Sequence, residues 1–215
     1  METIKVILYP IVFLFDFIFV QISNILYDSP FFVIAIFSGL IVLLLRPIQK
    51  PLRKIELKTT ELINLIENEY ALLAKDKNKE EQFFLRDQLY KKYSYNPFQS
   101  FKQAISFFVL IPFLISVIIV FDQSIFLQNS YLFGFSLSEP DRILFGYNLL
   151  PVIMFLSTYL DSIFRYAQDK SSRNKFLVIS VVLFFLVYNL QSALILFWIL
   201  MNLINMIIFY MKNEI

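Results

Sequence analysis

Long apolar runs, separated by polar stretches of unequal length, make up most of this 215-residue chain. Runs with few or no charges are typical of helices that face lipid. The pattern therefore predicts an all-α membrane protein with a five-helix transmembrane core, counted from Phe31, and one further helix at the N-terminus. The runs are Ile4–Leu26, Phe31–Leu45, Ala104–Phe121, Tyr147–Phe164, Phe176–Tyr188 and Ala193–Met211.

The N-terminal run allows two interpretations because it contains Pro10, Asp16 and Gln21. A helix with a few polar residues can lie flat in the membrane interface, or it can be a sixth span. We assign residues 1–29 to this interfacial or spanning helix. The run has no small-residue cleavage site, so we do not expect a removable signal peptide.

The polar stretch from Pro47 to Pro97 is too long for a simple loop. Apolar residues recur there at helical spacing on both sides of a charged break at Lys75–Lys79. Two amphipathic helices joined by a short polar turn form an antiparallel hairpin. The predicted divisions are a first core span at 30–46, a helical hairpin at 47–97 and a four-span remainder at 98–215.

Lysines and arginines are concentrated on one side of the predicted membrane topology. Sixteen of the nineteen fall in Arg46–Lys102 or Arg165–Lys175, and the intervening polar stretch Asp122–Arg142 has one. The positive-inside rule places both basic stretches in the cytoplasm. We therefore expect a multi-pass protein of the cell (inner or plasma) membrane whose hairpin and C-terminus are cytoplasmic. The outer loop is predicted at 122–146 and the inner loop at 165–175.

The composition argues against an enzyme. The chain has no Cys and no His, which excludes thiolate catalysis and removes the commonest general base and metal ligand. Its three glycines leave no phosphate-binding loop. We therefore predict no catalytic residue, no cofactor, no metal and no small-molecule substrate.

Several short sequences occur in an order that matches a known family. They are Leu45–Lys50 at the start of the hairpin, Leu89–Phe98 at its end (the family pattern is LYKxYxVNPLGG), Leu110–Leu114, Leu149–Met154 and Ala193–Asn202. With the order of helices, they resemble the bacterial YidC-type insertases of the YidC/Oxa/Alb family over nearly the whole chain. The resemblance implies a membrane protein insertase or chaperone.

The same resemblance indicates the partners. They are nascent or newly made membrane proteins as clients, and the lipid bilayer. It leaves open whether a ribosome or a Sec-type translocon also binds. The sequence stops at Ile215 without a long basic tail, so we expect a weaker ribosome contact than in tailed members of the family.

The chain departs from the family at a basic position. Bacterial members carry an arginine five residues before the junction proline, where this chain has Val42. Arg46 lies four residues later, on the same helix face and about 6 Å further along. It is either a groove cation that pairs with acidic client segments or a boundary arginine that fixes orientation.

Family members guide polar client segments through a hydrophilic groove, and polar residues inside the spans are the candidate walls here. Alternatively, such Ser and Thr residues bond to their own helix or to a neighbouring one, and Asp161 pairs with Arg165. The predicted client groove comprises Arg46, Ser38, Gln103, Ser106, Ser116, Ser157, Asp161, Asn202, Asn205 and Trp198, with Thr158 and Ser180 as further polar residues of the same kind.

Two other functions stay open at this point. The missing arginine, together with Gln99-Ser100 in place of the family's double glycine, is compatible with a divergent scaffold or partner subunit that does not insert clients. A small transporter would be expected to show internal repeats and interrupted helices in two halves. The sequence shows no such repeat.

Overall fold

The computed structural model describes residues 2–75, 77–96, 98, 105–143, 145–165 and 170–211. The described residues form eight helices and one β-hairpin, which confirms the predicted all-α class. The helices are α1 (Glu2–Ile25), α2 (Pro30–Leu73), α3 (Lys79–Lys92), α4 (Ile105–Gln123), α5 (Ile125–Gln128), α6 (Leu150–Arg165), α7 (Lys170–Val187) and α8 (Ser192–Met211). The strands are β1 (Tyr131–Leu132) and β2 (Phe135–Ser136), which pair antiparallel.

The chain folds into two compact units. The first, called the core unit, contains Met1–Leu45 and Pro112–Ile215, and the second, called the hairpin unit, contains Arg46–Ile111. Helix α2 is continuous through Pro47 and Pro51, so the first apolar run and the first hairpin helix belong to one helix. Each proline removes only one backbone hydrogen bond, so the flanking helical bonds can carry the helix past it.

Two of the described helices contain an apolar stretch long enough to cross a bilayer. They are α1, through Leu8–Ile25, and α2, through its apolar part. Shorter apolar helices occur at Val109–Gln123, Leu150–Ile163 and Ser192–Ile208. Length alone does not distinguish a spanning α1 from an interfacial one, so both interpretations of this helix stay predictions.

Five buried phenylalanines pack together in the core unit, and we call them the aromatic cluster. Phe37 of α2 is fully buried, and its ring centroid lies 5.2–6.2 Å from those of the other four rings. The cluster consists of Phe15 and Phe19 from α1, Phe37 from α2, Phe121 from α4 and Phe197 from α8. It therefore joins four helices, including the N-terminal one.

Residues 124–149, which we call the connecting segment, link α4 to α6. The predicted outer loop was 122–146, and residues 147–149 were assigned to the span that follows it. The connecting segment contains α5 and the β-hairpin, and it caps other helices. The Asp141 carboxylate accepts hydrogen bonds from Leu149 N at 2.6 Å and Leu150 N at 3.3 Å. These bonds satisfy N–H groups that the start of α6 would otherwise leave without partners.

The connecting segment also binds α7 and α8. The carbonyl groups of Leu137 and Glu139 accept hydrogen bonds from Ala193 N and Ser192 N, each at 2.9 Å. The Asn148 amide donates to the Tyr188 carbonyl, just beyond α7, at 2.7 Å. The segment is therefore fixed to the same end of α6, α7 and α8.

The predicted inner loop at 165–175 is shorter than expected. Helix α7 begins at Lys170, so the last part of this basic stretch is helical. No Pro or Gly lies between Lys170 and Lys175, which leaves no local signal against helix. Residues 166–169 lie outside the described part of the chain.

The hairpin unit pairs the second half of α2 with α3. Ile66 and Leu89 are buried between the helices together with Tyr95. The polar break at Lys75–Lys79 separates the helices as expected, and Asn78 forms a capping box with Glu81 at the start of α3. This arrangement agrees with the predicted antiparallel hairpin.

A three-residue polar contact also joins the two hairpin helices. The Glu69 carboxylate accepts hydrogen bonds from Lys92 Nζ at 2.5 Å and from the Tyr93 hydroxyl at 2.6 Å. These bonds, with that from Lys92 the stronger influence, lower the pKa of Glu69. The bond to Glu69 in turn raises the pKa of Lys92 and that of Tyr93.

We expect the hairpin to be most stable at intermediate pH. A carboxylate with a lowered folded-state pKa stabilises the fold above its unfolded pKa, and this contribution is lost as pH falls through the lowered value. The raised pKa values of Lys92 and Tyr93 stabilise the fold below their unfolded values and lose that effect as pH rises through the raised ones. Hydrogen exchange of α3 amides, corrected for intrinsic pH dependence, should therefore speed up at both extremes.

Glu69→Gln should remove the acid-side change in exchange. Glu67→Gln is the matched control, because Glu67 also pairs across the hairpin, with Arg86 at 3.5 Å, but its pairing is longer and more exposed. The control should keep the acid-side change. The explanation is wrong if the two variants behave alike.

Candidate functional site

A layer of buried polar residues lies at middle depth in the core unit. Its members come from five helices: Ser38 (α2), Ser116 (α4), Ser157 (α6), Ser180 (α7) and Asn202 (α8). Each lies seven to ten residues from the helix end on the connecting-segment side. At 1.5 Å per residue this is about 10–15 Å, near the middle of a hydrocarbon core about 30 Å thick. We call these five residues the polar layer.

Asn202 connects α8 to α6 through a closed hydrogen-bond network. Its side-chain Nδ2 donates to Ser157 Oγ at 3.2 Å and to Thr158 Oγ1 at 2.9 Å. Both hydroxyls in turn donate to the Met154 carbonyl at 2.8 Å. A buried carboxamide without such partners would be costly. The network therefore allows a strongly polar group between two apolar helices.

Ser38 and Ser116 bond mainly within their own helices. Ser38 Oγ donates to Ile34 O at 2.7 Å, and Ser116 Oγ donates to Pro112 O at 2.8 Å. Ser38 Oγ also lies 3.5 Å from Phe197 O of α8. Hydroxyls that bond to the carbonyl four residues earlier still leave lone pairs for another donor.

The buried face of α6 changes character along its length. It begins with apolar Leu150 and Met154 and continues with the polar residues Ser157, Thr158, Asp161 and Ser162. Helix α8 changes in the same direction, from the buried apolar run Ala193–Phe197 to Asn202. Buried polar residues cap the helix ends at the connecting segment (Asp141, Asn148 and Ser192). Beyond these caps the α6–α8 interface is apolar, and it becomes polar past the middle of the unit.

The remaining predicted groove residues are placed as follows. Trp198 and Asn205 of α8 are half-buried in the core unit, whereas Arg46 is half-buried in the hairpin unit. Val42, which stands in place of the family arginine, is buried. Ser106 belongs to α4, but its side chain lies outside the described part, as does the whole of Gln103.

Sequence reasoning named Ser157 and Asn202 separately and did not pair them. Their similar distance from the beginnings of α6 and α8 is the signal that would have suggested a contact. Within the described residues, no group of three or more Asp or Glu side chains is arranged to hold a metal ion.

Comparisons with known proteins agree with the arrangement of helices. The model of the 60Kd inner membrane protein family matches residues 28–215. Membrane protein insertase YidC 1 of Streptococcus pyogenes is 24% identical over 181 residues, covering 81% of this chain and 65% of that protein. Membrane protein insertase YidC of Clostridium tetani is 27% identical over 174 residues, covering 77% of this chain and 75% of that protein.

A solved structure has the same fold. It is described as an active YidC insertase with its first transmembrane domain resolved, and it matches with a TM-score of 0.59 at 21% identity. The match covers 96% of this chain but 46% of the solved one. The chain thus spans about two thirds of the Streptococcus relative and about half of the solved insertase.

Proposed function

Because this chain belongs to the 60Kd inner membrane protein family, we propose that it acts as a membrane protein insertase or chaperone, as its YidC relatives are named. Its clients are newly made membrane proteins. Polar client segments pass through a hydrophilic groove in the core unit, and their apolar helices then move sideways into the bilayer.

The observation that supports this proposal is the change along α6 and α8 from buried apolar side chains to buried polar ones. Serine, threonine, asparagine and aspartate side chains begin at the polar layer and continue along α6 beyond it. Of the aromatic cluster, Phe19, Phe121 and Phe197 lie on the connecting-segment side of the polar layer, and Phe15 and Phe37 lie level with it. Such a change suits a groove that opens on the side of the membrane opposite the connecting segment and ends halfway across the bilayer.

The physical task of such a groove is to supply hydrogen-bond partners in place of water. Unpaired backbone groups of a client cost several kcal/mol each in hydrocarbon. Carboxamide and hydroxyl groups both donate and accept, so residues such as Asn202 and Ser157 can serve many client sequences. No covalent step is involved, which fits a chain without His or Cys.

The proposal also includes a positively charged residue for the groove and an orientation of the chain in the membrane. Arg46 supplies the positive charge that attracts acidic client segments, one helical turn after the position of the family arginine. The hairpin unit and the C-terminus face the cytoplasm, because both basic stretches of the sequence belong on that side.

The function is tested by depleting the main insertase of a bacterial host and expressing this chain. Insertion is measured by protease protection of two short clients that differ only in an acidic or a neutral outer tail. We expect the chain to restore insertion of both clients. Failure to restore either, at normal accumulation of the protein, would favour the scaffold interpretation.

Variants then test separately the role of Arg46 as a cation and the role of Asn202 as a polar residue of the groove. Arg46→Ala should reduce insertion of the acidic client and spare the neutral one. Lys50→Ala is the control, because it removes a positive charge from an exposed position one turn later in α2. Asn202→Leu should reduce insertion of both clients. If Arg46→Ala changes the insertion of neither client, Arg46 is a boundary residue and does not attract acidic client segments.

A further inference from the structure

The connecting segment carries one short pattern twice. Leu-Phe-Gly followed by an aromatic residue occurs at Leu132–Phe135 and again at Leu144–Tyr147. Phe133 and Phe145 both have a φ of 50°, and the glycine after each has a φ of 89°. The two copies therefore have the same unusual backbone at the same two positions.

Phenylalanine is a poor choice for this backbone. The first copy forms the two-residue turn between β1 and β2, where Leu132 pairs with Phe135. Turns with two positive φ values strongly prefer Asn-Gly or Gly-Gly, because a bulky side chain is strained there. Turn formation alone thus does not account for Phe133 or Phe145, and their side chains require another explanation.

Both phenylalanines project away from the rest of the protein. Phe133 is 90% exposed and Phe145 is 96% exposed, so neither side chain contributes to the core. Tyr131 and Tyr147, next to the two turns, are exposed as well. Large aromatic side chains that stay in water lose the stabilisation that burial would give them.

The connecting segment lies where membrane lipid can bury the aromatic side chains that the fold leaves exposed. The segment is fixed to the ends of α6, α7 and α8 by the bonds of Asp141, Asn148 and the Leu137 carbonyl described above. In a membrane protein, the ends of apolar helices lie at the boundary between hydrocarbon and headgroups. Tyr and Trp are enriched at that boundary because their rings favour the apolar side and their polar atoms favour water, whereas the wholly apolar ring of Phe favours the hydrocarbon.

We propose that Phe133 and Phe145 insert into the bilayer leaflet adjacent to the connecting segment and anchor that segment to the lipid. The two turns hold the rings at fixed positions, and the flanking tyrosines lie at headgroup level. The occupant of this aromatic surface is the lipid bilayer itself. The proposal depends on residence in a membrane, which the family establishes, and is independent of insertase activity.

Tryptophan fluorescence tests the insertion directly. Trp198→Phe removes the single tryptophan of the chain, and Phe133→Trp or Phe145→Trp then introduces one reporter. The protein is placed in phosphatidylcholine–phosphatidylglycerol nanodiscs, which leave both faces accessible. We expect quenching by lipids that carry a doxyl group near the headgroup, and protection from aqueous iodide.

Phe83→Trp in the same background is the control. Phe83 is 72% exposed on α3 of the polar hairpin unit, so iodide should quench its tryptophan and doxyl lipids should not. If the reporters at 133 and 145 behave like this control, the tips lie in water and the proposal is overturned. A docking site for a protein partner would also give that result, because only lipid is present.

A second pair of variants avoids placing tryptophan at a strained position. Tyr131→Trp reports on the first turn while Phe133 is kept, and Phe133→Asn then removes the aromatic tip but keeps a residue that favours the turn. We expect doxyl-lipid quenching of the reporter with Phe133 present and its loss with Phe133→Asn. Equal quenching in both proteins would mean that Phe133 does not anchor the segment.

Discussion

Phe37→Ala is expected to lower the free energy of unfolding of the core unit by about 3 kcal/mol. Phe37 is fully buried, and its ring touches the other four rings of the aromatic cluster. Truncation leaves a cavity that rigid helices cannot close. Since lipid is as apolar as the core, the loss comes from packing and not from transfer to water, so the lower end of the range for soluble proteins applies.

Phe32→Ala is the matched control for this prediction. Phe32 lies on the same helix, α2, but is 58% exposed and does not belong to the cluster. Unfolding in mixed micelles with increasing SDS should show a clear shift for Phe37→Ala and almost none for Phe32→Ala. Similar shifts would mean that the cluster does not hold the core unit together.

Asp141→Ala is expected to lower the same stability by about 2–3 kcal/mol. The Asp141 side chain is 4% exposed, and it accepts hydrogen bonds from Leu149 N and Leu150 N at the start of α6. Truncation leaves the half-buried Leu149 N and the buried Leu150 N without their acceptor, and it removes a negative charge from the positive end of the helix. The change should be visible in the same SDS titration.

Two further substitutions test the origin of this effect. Asp141→Asn keeps one oxygen acceptor and should lose about half as much stability, because the charge is gone but a neutral cap remains. Glu139→Ala removes an exposed carboxylate two residues away and keeps the carbonyl that binds Ser192 N. Glu139→Ala should leave the free energy of unfolding nearly unchanged. A large loss of stability for Glu139→Ala would mean that any change in the connecting segment destabilises the core unit, and that the Asp141 cap is not the specific cause.

The helices were predictable from the sequence where local patterns decide the structure. Apolar runs indicated the spans, and the Lys75–Lys79 break indicated the turn between α2 and α3. Local patterns did not decide whether the helix continues past Pro47, where the surrounding helical bonds outweigh the effect of one proline. They were also insufficient in the connecting segment, where Asp141 and the Leu137 carbonyl bind residues that are distant in the sequence.

The sequence indicated which polar residues form the candidate site, but it did not indicate which of them contact one another. A carboxamide in an apolar run, such as Asn202, draws attention in any sequence. Its pairing with Ser157 and Thr158 depends on how α8 lies against α6, and periodicity does not provide that register. The capping role of Asp141 was not foreseen, because the acceptor lies eight residues before the amide that it binds most closely.

The aromatic cluster has an electrical consequence for the proposed groove. If water fills the groove up to the polar layer, most of the transmembrane voltage falls across the remaining apolar half. A voltage of 100 mV still contributes about 2.3 kcal/mol for each charge carried across, but it acts over roughly half the usual distance and so exerts about twice the force. In a cell with a negative interior, that force drives an acidic segment outwards at the step where the protein offers it fewest polar contacts.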